Sequence, residues 1–360
     1  MIEVSVPGKL YIAGEYAVVE PGYPAVIVAV DQFITVKIEA ATKSGTIHSQ
    51  QYSDLPIRWT RRNGELVLDH RENPFHYILE AIRLTEKYAA EKGRLLAFYD
   101  LKVTSELDNS NGRKYGLGSS GAVTVATVKA LNLFYDLEMD QLTVFKISAL
   151  AHLAVQGNGS CGDIAASSYG GWIAFSTFDH KWVLDKQEKW PIGHLLAEPW
   201  PMLTIQPLPT PKNLRLVIGW TGSPASTSDL VDQVSQSRGE KQKLYQQFLD
   251  ESNDCVQTLI DAFMEEDVPT IKRMILKNRE LLANLSQITG VIIETPSLEK
   301  LCQLAISCGG AAKSSGAGGG DCGIVIADQR TGILPLMSAW EKADIIPLPL
   351  HVYHYRGGKK

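Results

Sequence analysis

Apolar and polar positions alternate with a period of two over residues 4–7 and again from Ile34 to Ile38, the end of a run over 25–38 that carries Val26, Ile27, Val28, Val30, Ile34, Val36 and Ile38. That period places one face of each segment in a core and predicts strands. The period lengthens over residues 74–92, where Phe75, Ile78, Leu79, Ile82 and Tyr88 share one helical face and Gly93 supplies the stop. Residues 59–68 read as a hairpin turning at Asn63 and Gly64, and residues 98–103 as a further strand. The run 123–131 is apolar enough for a buried helix, and residues 140–155 predict another through Leu142, Phe145, Ile147, Leu150 and Leu153.

Both periods break at residues 182–211, where prolines stand at 191, 199, 201, 207, 209 and 211. An irregular segment is expected there, and with it the domain junction, giving domains over 1–205 and 206–360. Beyond it the pattern predicts a strand at 214–219, helices at 240–264, 268–285 and 297–307, a strand at 322–327, a helix at 330–342 and a final strand at 351–355. The whole reads as an α+β protein of two domains, which 360 residues readily support.

Composition narrows the function classes. With 44% hydrophobic residues, 21% charged residues and a formal net charge of −5, nothing argues for nucleic acid or an anionic membrane surface. The apolar runs are too short to span a bilayer, and residues 1–6 lack the basic and apolar regions of a secretory signal. Five cysteines, at 161, 255, 302, 308 and 322, form no Cys-x-x-Cys pair, so a reducing, cytoplasmic setting is expected.

Three segments carry the candidate chemistry. Residues 114–122 read Lys-Tyr-Gly-Leu-Gly-Ser-Ser-Gly-Ala and feed the apolar run. A glycine-rich loop opening a helix offers unpaired N–H groups and the positive dipole end, which suits phosphate. It is neither a Walker A loop nor a dinucleotide fingerprint. Ser119 fits equally as helix cap or phosphate donor. In residues 7–19, Lys9 leaves a strand between Pro7-Gly8 and Gly14, which make the backbone around it unusual, with Glu15 close behind. Residues 313–323 hold five glycines and two serines before an apolar strand, a density whose entropic cost calls for close backbone approach to a ligand. Asp163 follows a small-residue loop and is read either as a base or as a helix N-cap.

In order and spacing these segments resemble the GHMP kinase superfamily, whose three motifs correspond to residues 7–15, 116–122 and 314–323. Lys9 to Tyr16, the cations Arg113 and Lys114 ahead of the loop, residues 157–167 and residues 220–227 resemble the bacterial phosphomevalonate kinase branch more closely. Gly121 departs from the motif, where alanine is more usual. The resemblance implies a ribosomal-protein-S5-domain-2-like N-terminal lobe, a ferredoxin-like C-terminal lobe and an active site in the cleft between them. It implies ATP as phosphoryl donor, (R)-5-phosphomevalonate as acceptor and (R)-5-diphosphomevalonate as product, in a monomer or homodimer.

By the same resemblance Lys9 and Asp163 are catalytic, Lys9 pairing with Asp163 to keep it ionised, and Ser120 offers its hydroxyl to Mg²⁺. ATP is expected at Asn109, Ser110, Lys114, Tyr115, Gly116, Leu117, Gly118, Ser119 and Ser120. The acceptor is expected at Lys9, Tyr16, Ser160, Asp163, Ser223, Ser226, Thr227, Gly316, Ala317 and Gly318. The alternatives are mevalonate or another small acceptor on the same scaffold, and a ligand sensor without turnover, against which the presence of both Lys9 and Asp163 speaks. His152, on an apolar helix, is read as a packed side chain, His351 and His354 as exposed or pairing residues, and Trp182, Trp190 and Trp200 as packing anchors.

Overall fold

The computed structural model describes residues 1–49, 55–62, 64–68, 75–107, 115–222, 227–236 and 242–355. Strand β1 (Ile2–Ala13) runs antiparallel to the long β2 (Pro24–Ala41). Next come β3 (Gly45–Ser49), the hairpin β4 (Ile57–Arg62) and β5 (Glu65–Leu68), helix α1 (His76–Glu91) and β6 (Phe98–Ser105). Helices α2 (Ser119–Phe134), α3 (Gln141–Gln156) and α4 (Gly162–Tyr169) precede β7 (Trp172–Ser176). Short helices α5 (His180–Lys189) and α6 (Ile192–Ala197) then lead to β8 (Thr204–Leu208). These strands form one sheet in the order β5-β4-β3-β6-β2-β7-β8, with β1 also on β2.

Helix α2 is apolar around most of its circumference because it is packed on all sides, against β1 and β2 and against α1 and α3. Helix α3 starts where Asp140 accepts the Thr143 N–H at 2.7 Å and stops at Gly157, whose φ of 77° suits glycine.

The remaining elements build a second layer pair. Strand β9 (Arg215–Trp220) is followed by α7 (Thr227–Gln236), α8 (Gln242–Met264), α9 (Val268–Thr289) and α10 (Pro296–Ser307). Then come β10 (Ala311–Ser314), β11 (Cys322–Ala327), α11 (Ile333–Glu341) and β12 (Ile346–Leu348). The sheet order is β10-β11-β9-β12, all antiparallel.

Two expectations need correction. The proline-rich segment is not irregular: it holds α5, α6 and β8. Pro191 precedes α6, where a missing N–H is harmless, and Pro207 lies on an edge strand. Lys146 anchors the segment by donating from Nζ to the carbonyls of Leu196 at 2.8 Å and Glu198 at 2.6 Å. Trp200 donates its indole N–H to Leu195 O at 3.0 Å, an anchoring role as expected. The change from the first sheet to the second therefore comes between Leu208 and Arg215, not inside β8 after residue 205.

The final strand is also displaced. Strand β12 ends before Pro349, and residues 351–355 return to the first sheet through a bridge between Val352 and Val30. The Tyr353 N–H donates to Ala29 O at 2.9 Å, and His351 pairs with Asp31.

Candidate functional site

A kink in β1 starts the site. The β1–β2 register slips between Pro7 and Gly8, a bulge that re-aims the following side chain. Only glycine fits at position 8, where a Cβ would lie 2.9 Å from Leu117 O. The bulge brings the Lys9 N–H to Leu117 O at 2.9 Å and Lys9 Nζ to Gly116 O at 3.0 Å. The first candidate segment thus threads the second by main chain and side chain alike.

The loop ahead of α2 turns through Gly116 and Gly118 at φ of 77° and 80°. Gly118 is the N-cap without a side-chain cap bond, and Ser119 is the first helical residue, so Ser119 does not cap the helix. The N–H groups of the first turn have no intrahelical partner and stand at the positive end of the helix dipole. Asp163 sits in the first turn of α4, one residue after its start, so the N-cap reading does not hold for it either. The N-cap is Cys161, held at φ 62°, a costly conformation for a side chain with Cβ.

These elements enclose a cleft of about 360 Å³. Of the expected site residues, Lys9, Tyr16, Gly116, Leu117, Gly118, Ser119, Ser120, Ser160, Asp163, Gly316 and Ala317 line it. Two others do not. Tyr115 packs edge-on against Trp220 with ring centroids 5.1 Å apart, and Gly318 is pressed on the Ile293 carbonyl, where a Cβ would stand 2.1 Å from the oxygen. Asn109, Ser110, Arg113, Lys114, Ser223, Ser226 and the side chain of Thr227 lie outside the described residues.

Charge in the cleft is arranged differently from expectation. Lys9 makes no ion pair with Asp163 among the described residues. Burial pulls the Lys9 pKa below its ordinary value, and the charges of Asp163 and then Asp321 oppose that shift. Asp163 instead lies beside His152, with Nε2 3.7 Å from Oδ2. His152 is buried, and the same Nε2 is 3.3 Å from Ser120 Oγ. The packed reading of His152 therefore captured its burial and missed its position, because apolar periodicity marks the core face without showing that one turn of α3 opens on a cleft.

Glu15 pairs with Lys313 rather than with a cleft cation, and both side chains are buried. Lys313 also donates to Ser314 O at 2.6 Å, and Tyr16 donates its hydroxyl to Ala317 O at 2.6 Å. The first segment is thereby fastened to the third. Ser160 exchanges a hydrogen bond with Tyr11 at 2.9 Å and accepts the Gly162 N–H at 3.2 Å. Burial and the Asp163 charge push the Tyr11 phenol well above its usual pKa, so it stays protonated. Tyr11 and Asp321 also line the cleft but were not among the expected site residues. Both lie inside the candidate segments, Tyr11 two residues after Lys9 and Asp321 in the third glycine-rich loop, so membership of those segments was the available signal.

No group of three or more His, Cys, Asp or Glu side chains poised for a metal occurs among the described residues. The oxygens of Ser120 and Asp163 fit an ion that arrives with phosphates and keeps its waters, the habit of Mg²⁺.

Comparison with known proteins agrees with this geometry. Residues 76–171 match the GHMP kinases N terminal domain and residues 259–341 the GHMP kinases C terminal domain. A phosphomevalonate kinase of Streptomyces sp. (strain CL190) is 40% identical over 356 residues, covering 96% of this chain and 95% of that protein. A crystal structure from Listeria innocua superposes with a TM-score of 0.91 at 41% identity, covering 97% of both chains. The Streptococcus pneumoniae phosphomevalonate kinase in complex with phosphomevalonate and AMPPNP superposes at 0.85 with 31% identity, covering 98% of this chain and 100% of that one.

Proposed function

The chain belongs to the GHMP kinase family, and on that premise we propose that it transfers the γ-phosphoryl group of ATP to the phosphate of (R)-5-phosphomevalonate. An acceptor phosphate oxygen bonds to the γ-phosphorus while the bond to the β–γ bridging oxygen breaks, giving (R)-5-diphosphomevalonate and ADP. The observation that carries the reading is the convergence in one cleft of the α2 N-terminus, Lys9 and Asp163. Identity of 40% to a phosphomevalonate kinase over nearly the whole chain supports the choice of acceptor.

Phosphoryl transfer asks a protein mainly for positioning and charge neutralisation. In this proposal the N–H groups opening α2 hold the donor phosphates, with the loop 115–120 around them. Lys9 stabilises charge on the moving phosphoryl group. A phosphate monoester has a second pKa near 6, so most acceptor molecules already present an anionic oxygen at neutral pH. Asp163 is accordingly assigned to orienting the acceptor and raising the Lys9 pKa, and takes a proton only from the minor monoanion.

Tyr16, Ser160, Gly316 and Ala317 are placed near the acceptor, with Ser223, Ser226 and Thr227 assigned to it by resemblance. Gly318 and Tyr115 are assigned to shaping the loops. Mg²⁺ bound with ATP would meet Ser120 and would neutralise phosphate charge. The lobes are drawn with their boundary between β8 and β9. A cytoplasmic setting accords with five free cysteines, four of them buried, and with no described helix long and apolar enough to cross a membrane.

The test is an ADP-release assay across 5-phosphomevalonate, mevalonate, galactose and homoserine. Turnover confined to 5-phosphomevalonate is expected. Turnover of mevalonate without its phosphate would overturn the choice of acceptor, and a lack of ADP release with every one of them would favour a sensor.

A further inference from the structure

The proposed reaction uses Asp163 but leaves open what fixes its carboxylate, since Lys9 does not. Two neighbours do. Helix α2 carries glycine at 121, where an ideal Cβ would stand 2.6 Å from Asp163 Oδ2. The missing methyl is the notch in which the carboxylate rests. Across it stands His152, with Nε2 3.7 Å from Asp163 Oδ2 and 3.3 Å from Ser120 Oγ. The imidazole is itself held, with 2% of its surface exposed and its ring stacked on Tyr77 at 5.0 Å between centroids and 27° between planes.

The proton arrangement follows from burial. His152 Nδ1 is buried and has no hydrogen-bond partner among the described residues, whereas Nε2 faces a carboxylate oxygen and a hydroxyl oxygen. A proton on Nδ1 would be stranded, whereas a proton on Nε2 has the Ser120 oxygen as acceptor and the Asp163 carboxylate, just beyond hydrogen-bond distance, as a favourable neighbour. We infer that His152 is a positioning residue that donates from Nε2 and, with the notch at Gly121, holds the Asp163 carboxylate and the Ser120 hydroxyl in their working orientation. This rests on the kinase reading for its consequence in rate, though the seat itself is a property of the free protein.

Gly121 thus acquires a reason. An alanine there would displace the end of a flexible side chain rather than backbone, so the carboxylate swings out while the helix gains a better helix former.

Two measurements decide. The first is the tautomer of His152 by long-range ¹H–¹⁵N NMR on the free wild-type protein, assigned by difference with His152→Gln. A protonated Nε2 is expected, and a proton on Nδ1 with bare Nε2 overturns the proposal whatever the acceptor proves to be. The second is kcat on whichever acceptor the wild type turns over, with nucleotide Kd and melting temperature measured alongside. Gly121→Ala is expected to lose about 10–100-fold in kcat with an unchanged or higher melting temperature. His152→Gln, which keeps a donor and loses the ring, is expected to retain at least about tenfold more kcat than His152→Phe, which keeps the ring and loses the donor. If Phe serves as well as Gln, or Gly121→Ala keeps full rate, His152 and Gly121 are packing residues and the inference fails.

Discussion

Two glycine-rich segments meet in the cleft, residues 115–121 leading into the first turn of α2 and residues 315–321 ahead of β11, and they differ in what surrounds their glycines. In the first, Gly116 and Gly118 lie against the Asp321 and Lys9 side chains, and Gly121 leaves room for Asp163. Glycine there makes space for functional groups. In the second, Gly318 lies against the Ile293 carbonyl, which also accepts the Gly319 N–H at 2.8 Å, and Gly316 looks into open space. Beneath that loop the buried Lys313–Glu15 pair ties β10 to the end of β1. Glycine therefore serves ligand geometry on one side and protein packing on the other.

The comparison can be broken at its packed side first. Lys313→Met strands the Glu15 carboxylate in the core and is expected to cost about 3–5 kcal/mol of stability, read by denaturant unfolding. Pairing it with Glu15→Gln should recover much of that loss; equal loss in single and double variants would mean the pair is not what holds the loop. Gly318→Ala sets a methyl on Ile293 O at a φ of 74°, and a loss of about 3 kcal/mol or more is expected from clash and strain together. Gly316→Ala has a similar φ, 75°, but no neighbour within 4 Å, so only about 1–2 kcal/mol of backbone strain is expected. Its larger effect should fall on ligand affinity by calorimetry. Equal destabilisation by the two alanines would erase the distinction between the loops.

The smallest effect is on pH dependence. Lys9 must carry its proton to neutralise phosphate charge, and its pKa is lowered by burial and held up by Asp163 and Asp321. The alkaline limb of kcat/KM therefore falls below the ordinary lysine range, since the ammonium is lost as pH rises through the lowered pKa. Asp321→Asn removes one of the charges that raise it, so that limb should move further down in pH. A limb that stays in place or moves up would show that Asp321 does not act on Lys9.

The sequence made the three loops readable because glycine density, a lone lysine between Pro7-Gly8 and Gly14 and a serine pair at a helix start are local signals. Most helices were equally local, although the apolar pattern ends α9 at residue 285, short of its cap at Gly290. Residues 182–211 were misread because proline at a helix start or a sheet edge looks the same in sequence as proline that ends structure. Strand β10 was not foreseen, since four buried residues with a lysine among them give no alternation, and Lys313 is tolerated only through Glu15, 298 positions earlier. His152 and Gly121 failed for a related reason. Their meaning lies in one carboxylate brought to them from another helix, a relation no periodicity can show.

The central claim is that Asp163 and Lys9 act on phosphoryl transfer in a cleft whose nucleotide cradle is built separately by α2. Asp163→Asn tests it most directly, in single-turnover kinetics on 5-phosphomevalonate with nucleotide Kd measured on the same preparation. The account predicts a rate lower by about 10²–10³-fold with the Kd for ATP changed less than about threefold. An unchanged rate, or a loss of nucleotide affinity as large as the loss of rate, would contradict it.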